Sequence, residues 1–140
     1  MTGKIEENLE KIYKQQNSGL GKLVGIEFKE FKPELLTAEI RITKDHLQPH
    51  GIMHGGLSLV LAETLASVGA RLNLTSEDLS IVGQEINANH LRPVKEGDLL
   101  RGEAKPFHVG RKSQIWEIKL FVADKLICIS RCTIAIVNKY

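Results

Sequence analysis

One run of residues constrains this chain more than any other. Residues 54–72, HGGLSLVLAETLASVGARL, are rich in Leu and Ala and carry one charge, Glu63, between His54 and Arg71. A helix that is apolar nearly all round is buried on most sides. Inside a chain of 140 residues, a long buried helix needs a surface that wraps it. The other segments must supply that surface.

They have the patterns to do so. Residues 4–16 form an amphipathic helix in which Ile5, Leu9, Ile12 and Tyr13 share a face, closed by Ser18 and Gly19. Residues 22–31 alternate loosely as a strand. Residues 34–43 alternate cleanly, with Leu36, Ala38, Ile40 and Ile42 on one side and Thr37, Glu39, Arg41 and Thr43 on the other. Pro33 marks a hairpin turn between the two. Residues 44–53, with Pro49 and Gly51, read as an irregular loop. Beyond the long helix, residues 80–91, 98–107, 113–123 and 125–137 read as four strands. They are separated at Glu96-Gly97-Asp98, His108-Val109-Gly110 and Ala123-Asp124-Lys125. Trp116, Ile118, Leu120 and Val122 share one face of their strand. The order predicts an α+β fold, a curved and mostly antiparallel sheet wrapped around one long central helix. Residues 1–140 form a single domain, and residues 1–19 are its N-terminal helical segment.

Bulk properties exclude several classes. A net charge of +2 argues against a nucleic-acid partner. No segment approaches the roughly 20 apolar residues that span a bilayer, and the N-terminus lacks the apolar core of an export signal. Cys128 and Cys132 stand four apart in a strand, about 13 Å. A disulfide brings Cα atoms to about 4.4–6.8 Å, so these are free thiols, as in a reducing compartment. The expected location is the cytoplasm.

Glu63 is the residue that packing alone does not explain. A lone carboxylate in an apolar helix carries a desolvation cost unless it is paired or functional. Its i±3 and i±4 neighbours, Leu59, Val60, Ala66 and Ser67, include no cation. A partner from elsewhere, such as Arg92, is the structural alternative. Ser67, one turn on, faces the same side and is placed to hold a water or the carboxylate. At the other end of the helix, Gly55 and Gly56 let a ligand approach unpaired N–H groups closely, where the helix dipole favours an oxyanion. Those glycines serve equally well for tight packing. Gly55 and Glu63 lie eight residues apart, about 12 Å along a helix. One reacting carbonyl cannot be held by the first and attacked by the second of the same chain. If both act, two copies of the chain share each site.

His46, His50 and His54 are spaced four apart, but Pro49 and Gly51 interrupt any helical metal face, so no metal is expected. His54 is the best placed of the three to orient a carbonyl or a water. A basic constellation comes from two segments. His90, Leu91, Arg92 and Pro93 end one strand, and His108, Val109, Gly110, Arg111, Lys112 and Ser113 join two others. Together they suit phosphate groups, although turns are also charged for solvation alone.

With these residues in view, the chain resembles the hotdog-fold acyl-CoA thioesterases. More narrowly, it is similar to the group that includes 4-hydroxybenzoyl-CoA, phenylacetate-pathway and 1,4-dihydroxy-2-naphthoyl-CoA thioesterases. The resemblance spans residues 20–137. It is carried by Gln48-Pro49-x-Gly51, His54-Gly55-Gly56, Ala62-Glu63-Thr64-x-Ala66-Ser67, the run from Glu85 to Pro93, and His108-Val109-Gly110-Arg111. It implies a homo-oligomer, a dimer or dimer of dimers, that hydrolyses a small-molecule acyl-CoA. Coenzyme A is then part of the substrate, and no cofactor is implied. Glu63 would be nucleophile or general base, and the Gly55 N–H would polarise the carbonyl with help from His54 and Gln48. Ser67 would position water. His90, Arg92 and the 108–113 turn would hold phosphates and adenosine, and Gly83 would line the pantetheine tunnel. Met53, Leu59, Val60, Phe107 and Trp116 are expected around the acyl group. The alternatives are a hotdog-fold enoyl-thioester hydratase or dehydratase, and a non-catalytic acyl-CoA-binding module.

Overall fold

Six strands form one sheet, in the order β1-β2-β4-β5-β6-β3, with every neighbouring pair antiparallel. The computed structural model describes residues 2–140, and side chains from residue 6 onward except at position 8; the expected contribution of Ile5 lies outside them. The elements are α1 (Thr2–Gln16), α2 (Gly19–Val24), β1 (Glu27–Lys32), β2 (Leu35–Arg41), α3 (Gly55–Leu72), β3 (Leu79–His90), β4 (Leu99–Val109), β5 (Ser113–Val122) and β6 (Lys125–Asn138). A short 3-10 turn occupies Lys44–His46.

The sheet wraps α3 as its apolar composition requires. Leu36, Ala38 and Ile40 of β2, Leu100 and Ala104 of β4, Trp116, Ile118 and Leu120 of β5, and Cys132 and Ile134 of β6 are all buried. Each set lies on alternate positions, so one face of each strand meets the helix. From the helix come Leu57, Leu61, Ala62, Leu65, Ala66 and Val68. Each fully buried Leu or Ile contributes roughly 1.5–3 kcal/mol, so this single layer accounts for most of the apolar drive to fold. Thr37 is buried despite its place on the polar side of β2, because its hydroxyl accepts the Glu30 N–H across the hairpin at 2.9 Å.

The structure differs from the sequence expectation at two places. Residues 22–24, expected as strand, end helix α2. Leu20, Leu23 and Val24 are spaced i, i+3, i+4, and Gly25 at φ +84° terminates the helix, its N–H bonding the Gly21 and Lys22 carbonyls. The turn expected at 108–110 lies further on, because β4 continues to Val109 through a register shift between Pro106 and His108. Cys128 and Cys132 are both free and buried. No helix among the described residues is long and apolar enough to cross a membrane.

Candidate active site

Helix α3 is not covered all round. Gly55, Gly56, Leu59, Val60 and Ser67 are half-buried and Glu63 is exposed. These positions form a single stripe down the helix, on the side away from the core. The expectation of a desolvated Glu63 is therefore not met within one chain. Its carboxylate forms no ion pair among the described residues. The structural alternative also fails, because Arg92 donates instead to the Leu126 carbonyl at 2.6 Å.

What Glu63 does touch is strand β3. A side-chain carbon added to Gly83 would fall against the Glu63 carboxylate, with Cδ 3.3 Å away. Gly83, expected along a substrate tunnel, lies directly against the Glu63 carboxylate.

The N-terminus of α3 is built by its own cap. The His54 Nδ1 accepts the Gly56 N–H at 2.8 Å, and the His54 carbonyl accepts the Leu57 N–H at 3.0 Å. A neutral imidazole whose Nδ1 accepts carries its proton on Nε2, so the exposed ring presents a donor. The Gly55 N–H makes no hydrogen bond among the described residues and is one of the orphan donors of a helix start. The space of a Gly55 side chain is filled by the His90 ring, whose Nε2 would lie 2.9 Å from the added carbon. That glycine is thus required for packing, and its N–H is left without a partner among the described residues.

The preceding loop is braced from two sides. The Met53 N–H donates to the Val94 carbonyl at 2.8 Å and the His54 N–H to the His46 carbonyl at 2.9 Å. Gln48 turns the chain, its carbonyl accepting from Gly51, which has φ +84°. Its side-chain Oε1 accepts the His50 N–H, leaving the carboxamide Nε2 without a partner among the described residues. His46 uses Nδ1 to accept the Thr43 N–H at 3.0 Å. His46 and His54 therefore each spend a ring nitrogen on capping a local turn.

The two basic segments, expected as one constellation, are not together within a chain. His90 pairs with Cys128 of β6, whereas the Lys112 carbonyl accepts from Ile136 at 2.9 Å. Eight strand residues, about 26 Å, separate these positions. The reason is topological: β3 adds at the edge beyond β6, so its two ends lie at opposite ends of the sheet. Arg111 and Lys112 are exposed, and Gly110 closes the turn by donating to the Ser113 carbonyl at 2.9 Å under the His108 ring. Val109, Leu91 and Pro93 are exposed beside these groups.

Of the residues expected around an acyl group, Leu59 and Val60 lie on the open stripe and Phe107 is exposed. Met53 and Trp116 belong to the core instead. Trp116 donates to the Gln114 Oε1 at 3.0 Å, and Gln114 donates to the Ala70 carbonyl at 3.1 Å. That chain of bonds satisfies the indole N–H inside the protein.

A carboxylate and a free helix-terminal N–H on one open stripe, beside an unpaired strand edge, frame the comparison with known proteins. The model of the thioesterase superfamily matches residues 50–129, more than half the chain. This chain belongs to the thioesterase superfamily. Its relatives there include a 1,4-dihydroxy-2-naphthoyl-CoA hydrolase of Listeria monocytogenes, 41% identical over 86% of this chain and 98% of that one. A protein of the same name from Escherichia coli is 42% identical over 84% of this chain and 88% of its own length. The solved structure of a mutant thioesterase from Pseudomonas aeruginosa superposes with a TM-score of 0.86 at 38% identity, covering 94% of each chain. The thioesterase-superfamily chain thus has the hotdog fold, the sheet being the bun around α3.

Proposed function

We propose that this chain hydrolyses acyl-CoA thioesters in a site shared by two copies, with Glu63 as the reacting carboxylate. The observation that carries the reading is the open stripe of α3, with an unpaired acid at its middle and an unbonded Gly55 N–H at its start. The thioester oxygen is held by the Gly55 N–H, helped by the His54 Nε2–H and the Gln48 amide. As charge builds on that oxygen, fixed donors stabilise it. Glu63 either takes a proton from water or attacks the carbonyl carbon itself. In the first route the water oxygen adds to the carbonyl carbon, the C–S bond breaks and the acid is released. In the second the broken C–S bond leaves an acyl–Glu63 anhydride that water hydrolyses to the acid. In both, the sulfur leaves as thiolate and gains a proton. Ser67 holds the water beside the carboxylate.

Two copies are required by distance and favoured by the sheet. Strand β3 is an edge of the sheet, with one row of backbone groups unpartnered by any other strand among the described residues. Antiparallel pairing of β3 with its own copy, centred near Ile86, sets Gly83 and Glu63 of one protomer beside His90 and Gly55 of the other. The same rotation brings the 108–113 turn of one chain toward Arg92 of its partner, reuniting the basic groups for the phosphates of coenzyme A. The 1,4-dihydroxy-2-naphthoyl-CoA hydrolases among the relatives support an aromatic acyl group.

A screen of short, medium, long-chain and aryl acyl-CoAs with a thiol reporter tests this. Steady thiol release is expected, which neither a hydratase nor a binding module gives. Glu63→Gln is expected to lower turnover about 100-fold or more, in the range of acid–base contributions. Wild-type hydrolysis by that variant removes Glu63 from the chemistry.

A further inference from the structure

Gly83 sits inside β3, paired with Ile134 just before a register shift. Glycine in a strand interior weakens it, and its presence there often marks a close approach. Backbone conformation does not call for it, since the glycines with φ in the left-handed region are Gly19, Gly25, Gly51 and Gly97. What occupies the place of its side chain is Glu63. The three atoms nearest an added carbon are the Oε1, Cδ and Cγ of that one residue, Oε1 closer than contact allows, the others at 3.3 and 3.8 Å. The glycines that face the core differ in kind: Gly102 is filled by Leu65, Leu120 and Leu61, and Gly69 by Trp116. Those neighbours are packed in the core, whereas Glu63 is exposed and its carboxylate is the far end of a long side chain.

We propose that Gly83 is a positioning residue for Glu63. Its bare backbone is the notch that fixes where the carboxylate rests, rather than part of a wall for the pantetheine arm. The proposal rests on Glu63 being the reacting group. An added methyl at residue 83 displaces the carboxylate by about 1 Å and disturbs little else, because the displaced atoms are the far end of a flexible side chain. A misplacement of that size costs about 100-fold in rate.

The test compares Gly83→Ala, Glu63→Gln and the double variant, on the acyl-CoA that the wild type hydrolyses fastest. Expected for Gly83→Ala is a kcat lower by about 30- to 100-fold, with KM and melting temperature close to wild type. In the Glu63→Gln background the same methyl adds no further loss, because it acts only through the carboxylate. A raised KM with intact kcat makes Gly83 a channel wall and overturns the proposal, as do wild-type kinetics or an equal loss in both backgrounds. Wild-type turnover by Glu63→Gln is a separate failure, of the functional reading, and takes this inference with it. Should Gly83→Ala not fold, Glu63→Ala/Gly83→Ala must restore folding, since the clash is with that one side chain; persistent misfolding overturns the proposal.

Discussion

Cys132 lies on the inner face of β6 beneath two carboxylates, and its ionisation is the clearest electrostatic signature in the molecule. Burial chiefly, then the negative charges of Glu63 and Glu85, pushes its thiol up to about 12 from an ordinary 9.0. Burial pushes Cys128 up as well. Between pH 9 and 12 the unfolded chain releases the Cys132 proton while the folded chain keeps it. The unfolded state then binds fewer protons, so stability falls as pH rises through that window. Urea midpoints measured from pH 8 to 10.5 are expected to decline above pH 9, with a shallower decline in Cys132→Ala. An aromatic disulfide reagent is expected to find no reactive thiol until the protein unfolds. At this scale the sequence identified Glu63 as anomalous, but it did not show that the residue stands exposed within a single chain. The count of apolar neighbours along α3 is the same whether a face meets its own sheet or stands open.

Helix α3 and strand β5 meet through a vacancy at Gly69. An added carbon there would lie 2.7 and 2.8 Å from two atoms of the Trp116 ring, which is fully buried and tied through Gln114 to Ala70. Gly69→Ala gains about 1 kcal/mol of helix propensity, yet forces the ring into a packed core at a cost of about 1–3 kcal/mol. Loss of the Trp116–Gln114–Ala70 bonds adds to that cost, so the substitution is expected to be net destabilising, with a melting point several degrees lower by calorimetry. Alternation told which face of β5 is buried, and it read β2 correctly from Leu36 to Ile42, because each strand meets the helix on one side only. It did not reveal the notch at Gly69, since glycine in a helix carries no record of what lies opposite. Helix α2 was missed for another reason. Over six residues, the spacing of Leu20, Leu23 and Val24 fits a loose strand as readily as a helix, and only the left-handed Gly25 decides between them.

At the scale of the whole molecule, what the sequence lacked was strand order. Residues 90–93 and 108–113 are near in sequence and both basic, so they read as one phosphate site. The sheet sends β3 past β6 to the edge and puts them at opposite ends. Yet the eight-residue spacing of Gly55 and Glu63 already implied a second chain if both residues act, and the proposed antiparallel β3–β3 contact would answer both separations with one rotation axis. The consequence is measurable by mixing two inactive proteins. Glu63→Gln lacks the acid but keeps the donors, and Gln48→Ala/His54→Ala lacks donors but keeps the acid. A mixed dimer of the two holds one site with both halves intact and one with both damaged. Random exchange makes half of the dimers mixed, so unfolding and refolding an equal mixture is expected to recover about a quarter of wild-type turnover. If each chain instead carried a complete site, every site in the mixture would be damaged, and activity would stay at the average of the two parents.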